Sequence, residues 1–451
     1  MTHHGAGSMI MAKPYIFAVD IGTSSLKAAI MDRDLNIVEH MQGQYAYSVV
    51  ENMGVEIDPE KIWTAFTNVA RHFSSYANQI EVMSICTFCP AMTPMDAESN
   101  VLRNSIIHLD RRTYPQARRA LKQVGEDTFL GIAGNLPYPG GVSVTSLLWI
   151  QEKEPEIFRA ARMFGHMNTF VMKRLVDRWL IDPTNASMTG LYETVKYGDW
   201  SPELTGAFQV EVERLPEVVD CHEFVGGLSQ KAADHLHLKA GTPVIMGGGD
   251  TACATYGAGS VDEGEILDIA GSSEILTVTL RTPYPSKKYN LRTHVLRDRW
   301  VVFTITVGGI ALEWFRSQCC RDMSKEAFYQ DYLPEVLQET PPSTEVFHPH
   351  LSGNRFSMTQ QRGVFSGLTL KTTREDLIRA VAKGVMQPME VTLAECQKHI
   401  TLNKAVFLTG GGASEALKRY KEHTVFAGYT FTVRKECSLV GVAKLAAKYI
   451  E

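Results

Sequence analysis

The 451-residue chain has no excess of positive charge: 45 Lys and Arg stand against 50 Asp and Glu, a formal net charge of -5. That balance creates no global field for a polyanion, which sets nucleic acid aside as a partner. Long apolar runs are also missing. The longest charge-free apolar stretch, Trp300 to Leu312, falls short of the ~18 to 20 residues of a membrane span, so a soluble protein without a membrane partner is expected. Cysteine is sparse. Eight residues at 86, 89, 221, 253, 319, 320, 396 and 437 read as free thiols of a reducing cytosol rather than a disulfide framework, which makes a cytoplasmic location the expectation. The one CxxC, Cys86 to Cys89, has neither a second CxxC nor a His pair at metal spacing and reads as a buried strand end. No period of 20 to 50 residues recurs, which removes solenoids and propellers. Neither a G-x-x-x-x-G-K-[ST] nor a G-x-G-x-x-G stands at a strand-to-helix junction, so the P-loop and the dinucleotide fingerprint are absent.

What is present is an ordinary globular composition, 44% hydrophobic and 21% charged, in a chain long enough for two to three domains. Residues 1–12, beginning MTHHGAGSM, read as a tag remnant and disordered start. A long-range echo organises the rest. The strand Tyr15 to Asp20, a turn through Gly22 to Ser25, a strand Leu26 to Met31 and a third strand Ile37 to Val49 are matched downstream. There Glu265 to Ala270, the turn Gly271 to Ser273, Glu274 to Leu280 and Trp300 to Val307 repeat the order. Helix Pro59 to Phe73, strand Glu81 to Thr87, a late strand Thr242 to Met246 and a helix from Asp250 complete the first half. Helices around Ala311 to Cys319, Thr373 to His399, Ser414 to His423 and Leu439 to Tyr449, with strands Ala405 to Thr409 and Thr430 to Val433, complete the second. Two α/β halves, 13–260 and 261–451, are therefore expected. Residues 88–240 are extra material in the first half, and Glu339 to Gly363 is a long loop rich in Pro, Ser and His.

Three glycine-bearing segments carry the candidate chemistry. Asp20-Ile-Gly22-Thr23-Ser24-Ser25 packs a carboxylate, a Gly and three hydroxyls into six residues. Amides and hydroxyls there can donate to a phosphate and Asp20 can hold Mg²⁺ through water, but a polar hairpin turn uses the same residues. Gly247-Gly-Gly-Asp250 follows a buried strand and opens a helix, so Asp250 is either an N-cap or a general base with the glycines leaving room for a substrate. Gly410-Gly411-Gly412-Ala-Ser414 is either a βα loop capped by Ser414 or a bed for a flat ring and ribose at a helix start.

In this order the segments resemble the FGGY family of carbohydrate kinases. The resemblance runs from about Tyr15 to Ile450 and rests on Asp20 to Lys27, Glu56 to Trp63, Leu109 to Thr113, Ser146 to Trp149, Gly247 to Gly264, Gly271 to Ser273, Arg362 to Leu368 and Thr409 to Ser414. It implies two ribonuclease-H-like (actin/hexokinase-type) α/β domains with ATP and Mg²⁺ in the cleft between them. It places Asp20 and Asp250 by the metal, Gly22 to Ser25 and Gly271, Ser272 and Ser273 on the phosphates, and Lys27 at the γ-phosphate. Gly410 to Gly412 and Ser414 match the adenosine segment, and Asp250 the catalytic base. The substrate positions depart from the family. Phe88-Cys89-Pro90 stands where xylulose kinases have Gln-Met-His, the family's Trp-x-Asp is His108-Leu109-Asp110, and Gly353-Asn-Arg355-Phe-Ser357 replaces Gly-Glu-Arg-x-Pro. Phe88, Cys89, Pro90, Asp110 and Asp250 are the candidate sugar contacts. A ketopentose such as xylulose is the first acceptor implied, with glycerol, erythritol or gluconate as alternatives. The resemblance is compatible with a homodimer, for which the sequence carries no interface signature. Two competing readings are a nucleotide-binding sensor that kept the fold and lost turnover, suggested by the stripped polyol residues, and an actin- or chaperone-like ATPase.

Overall fold

A computed structural model describes residues 14–51, 53–338, 344–410 and 415–451. The tag reading of residues 1–12, Gly411, Gly412 and Ser414 lie outside the described residues, as does part of the long loop.

The first half is built on a six-stranded sheet. Its strands are β1 (Tyr15–Ile21), β2 (Ser25–Met31), β3 (Ile37–Gln44), β4 (Ile80–Thr87), β5 (Phe224–Gly227) and β6 (Pro243–Gly249), in the order β5-β6-β4-β1-β2-β3. β1 to β3 form an antiparallel meander, and β4 and β6 run parallel to β1. β1 is apolar along nearly its whole length because both faces of the sheet are covered, as strands between two helical layers require. Phe17, Val19 and Ile21 join the core on one face and Ile16 and Ala18 the core on the other. The first face is closed by α1 (Pro59–His72), which begins at the N-cap Asp58 and the N1 residue Pro59 and buries Ile62, Trp63, Phe66 and Val69.

The second half repeats the plan with β7 (Ile266–Ala270), β8 (Glu274–Leu280), β9 (Asn290–Thr293), β10 (Trp300–Thr306), β11 (Ala405–Thr409) and β12 (Thr430–Val433), ordered β9-β10-β8-β7-β11-β12. Again an antiparallel meander is followed by two parallel strands. The expected duplication is present, and each half adds one further edge strand, β5 and β9, that the apolar pattern does not show. Among the helices, α2 (Asp250–Ala258) closes the first half, and α3 (Gly308–Cys319), α4 (Arg374–Cys396), α5 (Glu415–His423) and α6 (Cys437–Ile450) belong to the second.

Two expectations need correction. The third strand ends at Gln44, and Ser48–Val50 turns away to pair with Gly54–Ile57 in a separate five-stranded sheet. That sheet and the helices of the insertion bury their own apolar cluster, which includes Phe129, Leu147, Phe164 and Trp200. The loop Glu339 to Gly363 is not structureless throughout, because Val346–His348 pairs antiparallel with Val364–Ser366.

The last helix ties the halves together. α6 leaves the second sheet and lays Leu439, Val442 and Leu445 on the first, against Ile16, Ala18 and Val82. It crosses α2 with backbones touching: a Cβ on Gly441 would lie 1.9 Å from the Cys253 carbonyl oxygen, and one on Gly257 1.9 Å from that of Cys437. Gly441→Ala should therefore wedge the helices apart and lower stability by about 1 to 3 kcal/mol, the usual result of overpacking. A melting temperature equal to wild type contradicts this account of the crossing.

Candidate active site

The two Gly/Ser turns meet at one cavity. Thr23 from the turn between β1 and β2, and Ser273 from the turn between β7 and β8, both line a space of about 170 Å³. Phe88, Cys89, Pro90, His108, Asp250, Thr251, Arg292 and Arg355 share the lining. Each turn is held by its own backbone, Gly22 N–H donating to Ser25 O at 2.9 Å and Gly271 N–H to Ser273 O at 3.0 Å. The second is also clamped to the start of α3, since Gly309 N–H donates to Gly271 O at 3.0 Å. Tyr45 Oη donates to Gly22 O at 2.5 Å and fixes the first.

Asp250 is the first residue of α2, and the N-cap position belongs to Gly249. The capping alternative is therefore not the one adopted. Its carboxylate accepts from Thr251 N–H at 2.6 Å and faces the cavity. Burial pushes its pKa above the ordinary 3.8, against the lowering charge of Arg292. The glycines before it serve packing more than substrate room. Gly247 has φ +72°, and a Cβ there would lie 1.9 Å from Ile85 O, while one on Gly249 would press on Arg292 and Thr184. Thr184 Oγ1 accepts from Gly249 N–H at 2.7 Å and donates to the buried Asp182, which also accepts from Asn168 at 2.8 Å and Asn185 at 2.6 Å. This network fixes the strand end that presents Asp250.

Asp20 stands at the end of β1 beside Cys86, whose thiol donates to Oδ1 at 3.4 Å. Burial and the charge of Asp250 push Asp20 up to about 7, with Cys86 and Lys27 acting the other way. The two carboxylates thus repel across a poorly solvated gap. Lys27, opposite Asp20 on β2, reaches across to Glu436 before α6, with Nζ to carboxylate oxygens at 2.9 and 3.0 Å. Ser24 and Ser25 complete the first turn, Ser272 accepts from Ile310 N–H at 3.1 Å through its carbonyl, and Gly410 sits at the end of β11 with φ +102° against Ala270 O. Asp110 is not brought to the cavity. It is 2% exposed and is bound by Arg112 Nε at 2.7 Å and Val55 N–H at 2.8 Å.

The second half repeats the first down to its carboxylate. Asp268-Ile-Ala-Gly-Ser-Ser273 echoes Asp20-Ile-Gly-Thr-Ser-Ser25, but Asp268 is buried and neutralised by Lys421 Nζ at 2.5 Å, which also binds Glu274. Of these two carboxylates only Asp20 lies near enough to feel the charge of Asp250, which lines the cavity. The sequence reading missed Arg292, which lies on the short edge strand β9, and Lys421, which lies in an otherwise polar helix.

Two α/β halves of one topology, each offering a hydroxyl-bearing turn to a shared cavity that Asp250 also lines, define a two-domain α/β protein with its site between the halves. Models of the FGGY family of carbohydrate kinases match residues 15–257 with their N-terminal domain and residues 268–448 with their C-terminal domain. The chain belongs to the FGGY family of carbohydrate kinases. The xylulose kinase of Staphylococcus xylosus is 24% identical over 96% of this chain and 90% of its own length, and the gluconokinase of Bacillus subtilis 24% identical over 91% and 83%. Among solved structures, the ligand-bound xylulose kinase and the gluconate kinase of Lactobacillus acidophilus each superpose with a TM-score of 0.87 at 20% and 21% identity, covering 97% of this chain and 90% of theirs. All eight cysteines are free thiols, and no helix among the described residues is long and apolar enough to cross a membrane.

Proposed function

We propose that the protein transfers the γ-phosphoryl group of ATP to a terminal hydroxyl of a small sugar or polyol, with Asp250 as general base. The observation that carries this reading is that Thr23, Ser273 and Asp250 line the same cavity. Asp250 takes the hydroxyl proton as the substrate oxygen bonds to the γ-phosphorus. The bond from phosphorus to the β,γ-bridging oxygen breaks, and ADP leaves with that electron pair. Gly22 to Ser25 and Gly271 to Ser273 supply donors to the phosphate oxygens. Lys27 exchanges Glu436 for the γ-phosphate, and Gly410 begins the adenosine segment that runs on through Gly411, Gly412 and Ser414.

Asp20 and Asp250 suit Mg²⁺, which takes oxygen ligands and is commonly held by one or two carboxylates with substrate phosphates and water. Among the described residues no group of three His, Cys, Asp or Glu forms a complete protein cage. The chemistry supplied by Mg²⁺ when bound is neutralisation of charge on the phosphate oxygens. The halves 13–260 and 261–451 act as the two jaws of the cleft, and closure around the sugar limits hydrolysis of ATP by water. Xylulose and gluconate kinases recur among the relatives, so ketopentoses such as xylulose and six-carbon sugar acids bracket the acceptors to test.

The raised pKa of Asp250 sets a pH dependence. A carboxyl held above 3.8 takes up its proton at a higher pH than usual and then cannot accept another. The acid limb of a kcat/KM profile should accordingly lie above the ordinary carboxylate range. A profile flat down to pH 4 contradicts Asp250 as the base.

A further inference from the structure

We infer that the acceptor is a sugar acid, its carboxylate bound by Arg292 and Arg355 beside His108. This inference rests on the reading of the cavity as the acceptor site and names the acceptor's class. Arg292 comes from the second half, on β9, and is 2% exposed. Its Nη2 donates to Cys89 Sγ at 2.6 Å and to Thr184 O at 3.2 Å, its guanidinium lies 5.3 Å from the Phe303 ring centroid, and its buried Nε has no hydrogen-bond partner. Arg355 also lines the cavity and makes no hydrogen bond or ion pair with any described residue. Behind it Arg111 spends one nitrogen on the His108 and Asp110 carbonyls at 2.8 Å each, and its buried Nε is unpartnered.

Arg292 faces two acids, Asp250 and Asp182, and Asp182 is already taken up by Thr184, Asn168 and Asn185. Among the described residues Asp250 is the only Asp or Glu in the cavity lining, and Asp110 is already bound by Arg112. Arg355, buried beside the like charge of Arg111, has no ion-pair partner among the described residues; burying a cation in that state is costly, and a neutral polyol brings no counter-charge. A planar carboxylate matches the guanidinium fork and would take up the unpartnered donors. His108 is held neutral by burial and by the charges of Arg355 and Arg111, and its Nδ1 is buried without a partner, which leaves it for a hydroxyl. Space for about 170 Å³ holds on the order of a dozen water-sized groups, the size of a five- or six-carbon sugar acid. Phe88, Cys89 and Pro90 line the wall, and here the arginines replace the polyol hydrogen bonds that these residues do not offer.

The test pairs calorimetric binding with ADP release for D-gluconate and D-xylonate, their neutral counterparts D-glucitol and xylitol, D-xylulose and D-xylulose 5-phosphate. The aldonates should bind more tightly than the neutral compounds. Arg355→Gln should weaken aldonate binding by roughly 10- to 100-fold, the usual loss for a charged hydrogen bond, while the KM for ATP stays as it was and Arg355→Lys recovers part of the loss. Tighter binding of neutral sugars, binding of the sugar phosphate alone, or aldonate affinity unchanged in folded Arg355→Gln overturns the inference. Neutral-sugar turnover without aldonate binding removes the sugar acid and leaves the kinase. Aldonate binding that responds to Arg355→Gln, with no ADP released from any compound, supports the anion site and removes the kinase reading.

Discussion

Asp250→Asn is expected to lower kcat by roughly 10² to 10⁴ while the affinity for ATP stays close to wild type, the range typical of losing a general base. The asymmetry follows from where Asp250 sits. It faces the cavity at the start of α2 and is positioned by the Thr184 and Asp182 network through Gly249. The two Gly/Ser turns, proposed to hold the phosphates, are fixed by their own backbones and the first also by Tyr45. Asparagine keeps the shape and the bond from Thr251 but cannot take the proton. Steady-state kinetics with a saturating acceptor, together with nucleotide titration, separate the two effects. Turnover within a few-fold of wild type contradicts the assignment, and a parallel loss of ATP binding means that Asp250 holds the nucleotide rather than the acceptor proton.

Lys421→Met is expected to be among the most destabilising single changes in the second half. Lys421 is 2% exposed and lies between Asp268 and Glu274, themselves almost wholly buried. Methionine fills much of the volume but leaves two buried carboxylates with no cation, a loss of about 3 to 5 kcal/mol. At about 2 to 4 °C per kcal/mol for a domain of this size, the melting temperature should fall by roughly 6 to 20 °C. Burial and the neighbouring Asp268 already push the Glu274 carboxyl well up, so Glu274 can relieve the variant by taking a proton. A carboxyl with a raised folded-state pKa loses stability as pH rises, so the deficit should grow above the ordinary value of 4.5 and shrink towards it. Adding Asp268→Asn and Glu274→Gln should restore much of the loss, because the whole charged set is then gone. A melting temperature that is unchanged in Lys421→Met, or equally low in the triple variant, contradicts this account.

The parts of the architecture legible in the sequence were those written as local pattern. β1 and β7 are apolar runs ended by Gly/Ser turns, and the strand-glycine-helix junction at Gly247 to Asp250 announces itself within a few residues. What stayed hidden depends on partners far away along the chain. Arg292 lies in a four-residue edge strand with too few positions to show a period, and its neighbour Cys89 is 203 positions distant. Lys421 reads as a surface residue of a polar helix until the fold sets it against Asp268. Asp110 looked like a sugar ligand because of its place after His108, but Arg112, two residues on, takes its carboxylate. Lys27 was legible as a basic residue beside Asp20, and its resting partner Glu436, 409 positions away, was not. Gly257 and Gly441 carry no local signal either, because the reason for each is the backbone of the other helix.

The central claim is that the cavity between the two turns carries out phosphoryl transfer to a bound acceptor. It is tested most directly by incubating the enzyme with Mg-ATP and the acceptor panel and measuring ADP and sugar monophosphate together by mass spectrometry. The account predicts equal amounts of the two products, formed only with an acceptor present and reduced at least a hundredfold by Asp250→Asn. ADP released at the same rate with and without acceptor, with no phosphorylated sugar and no response to Asp250→Asn, would contradict it.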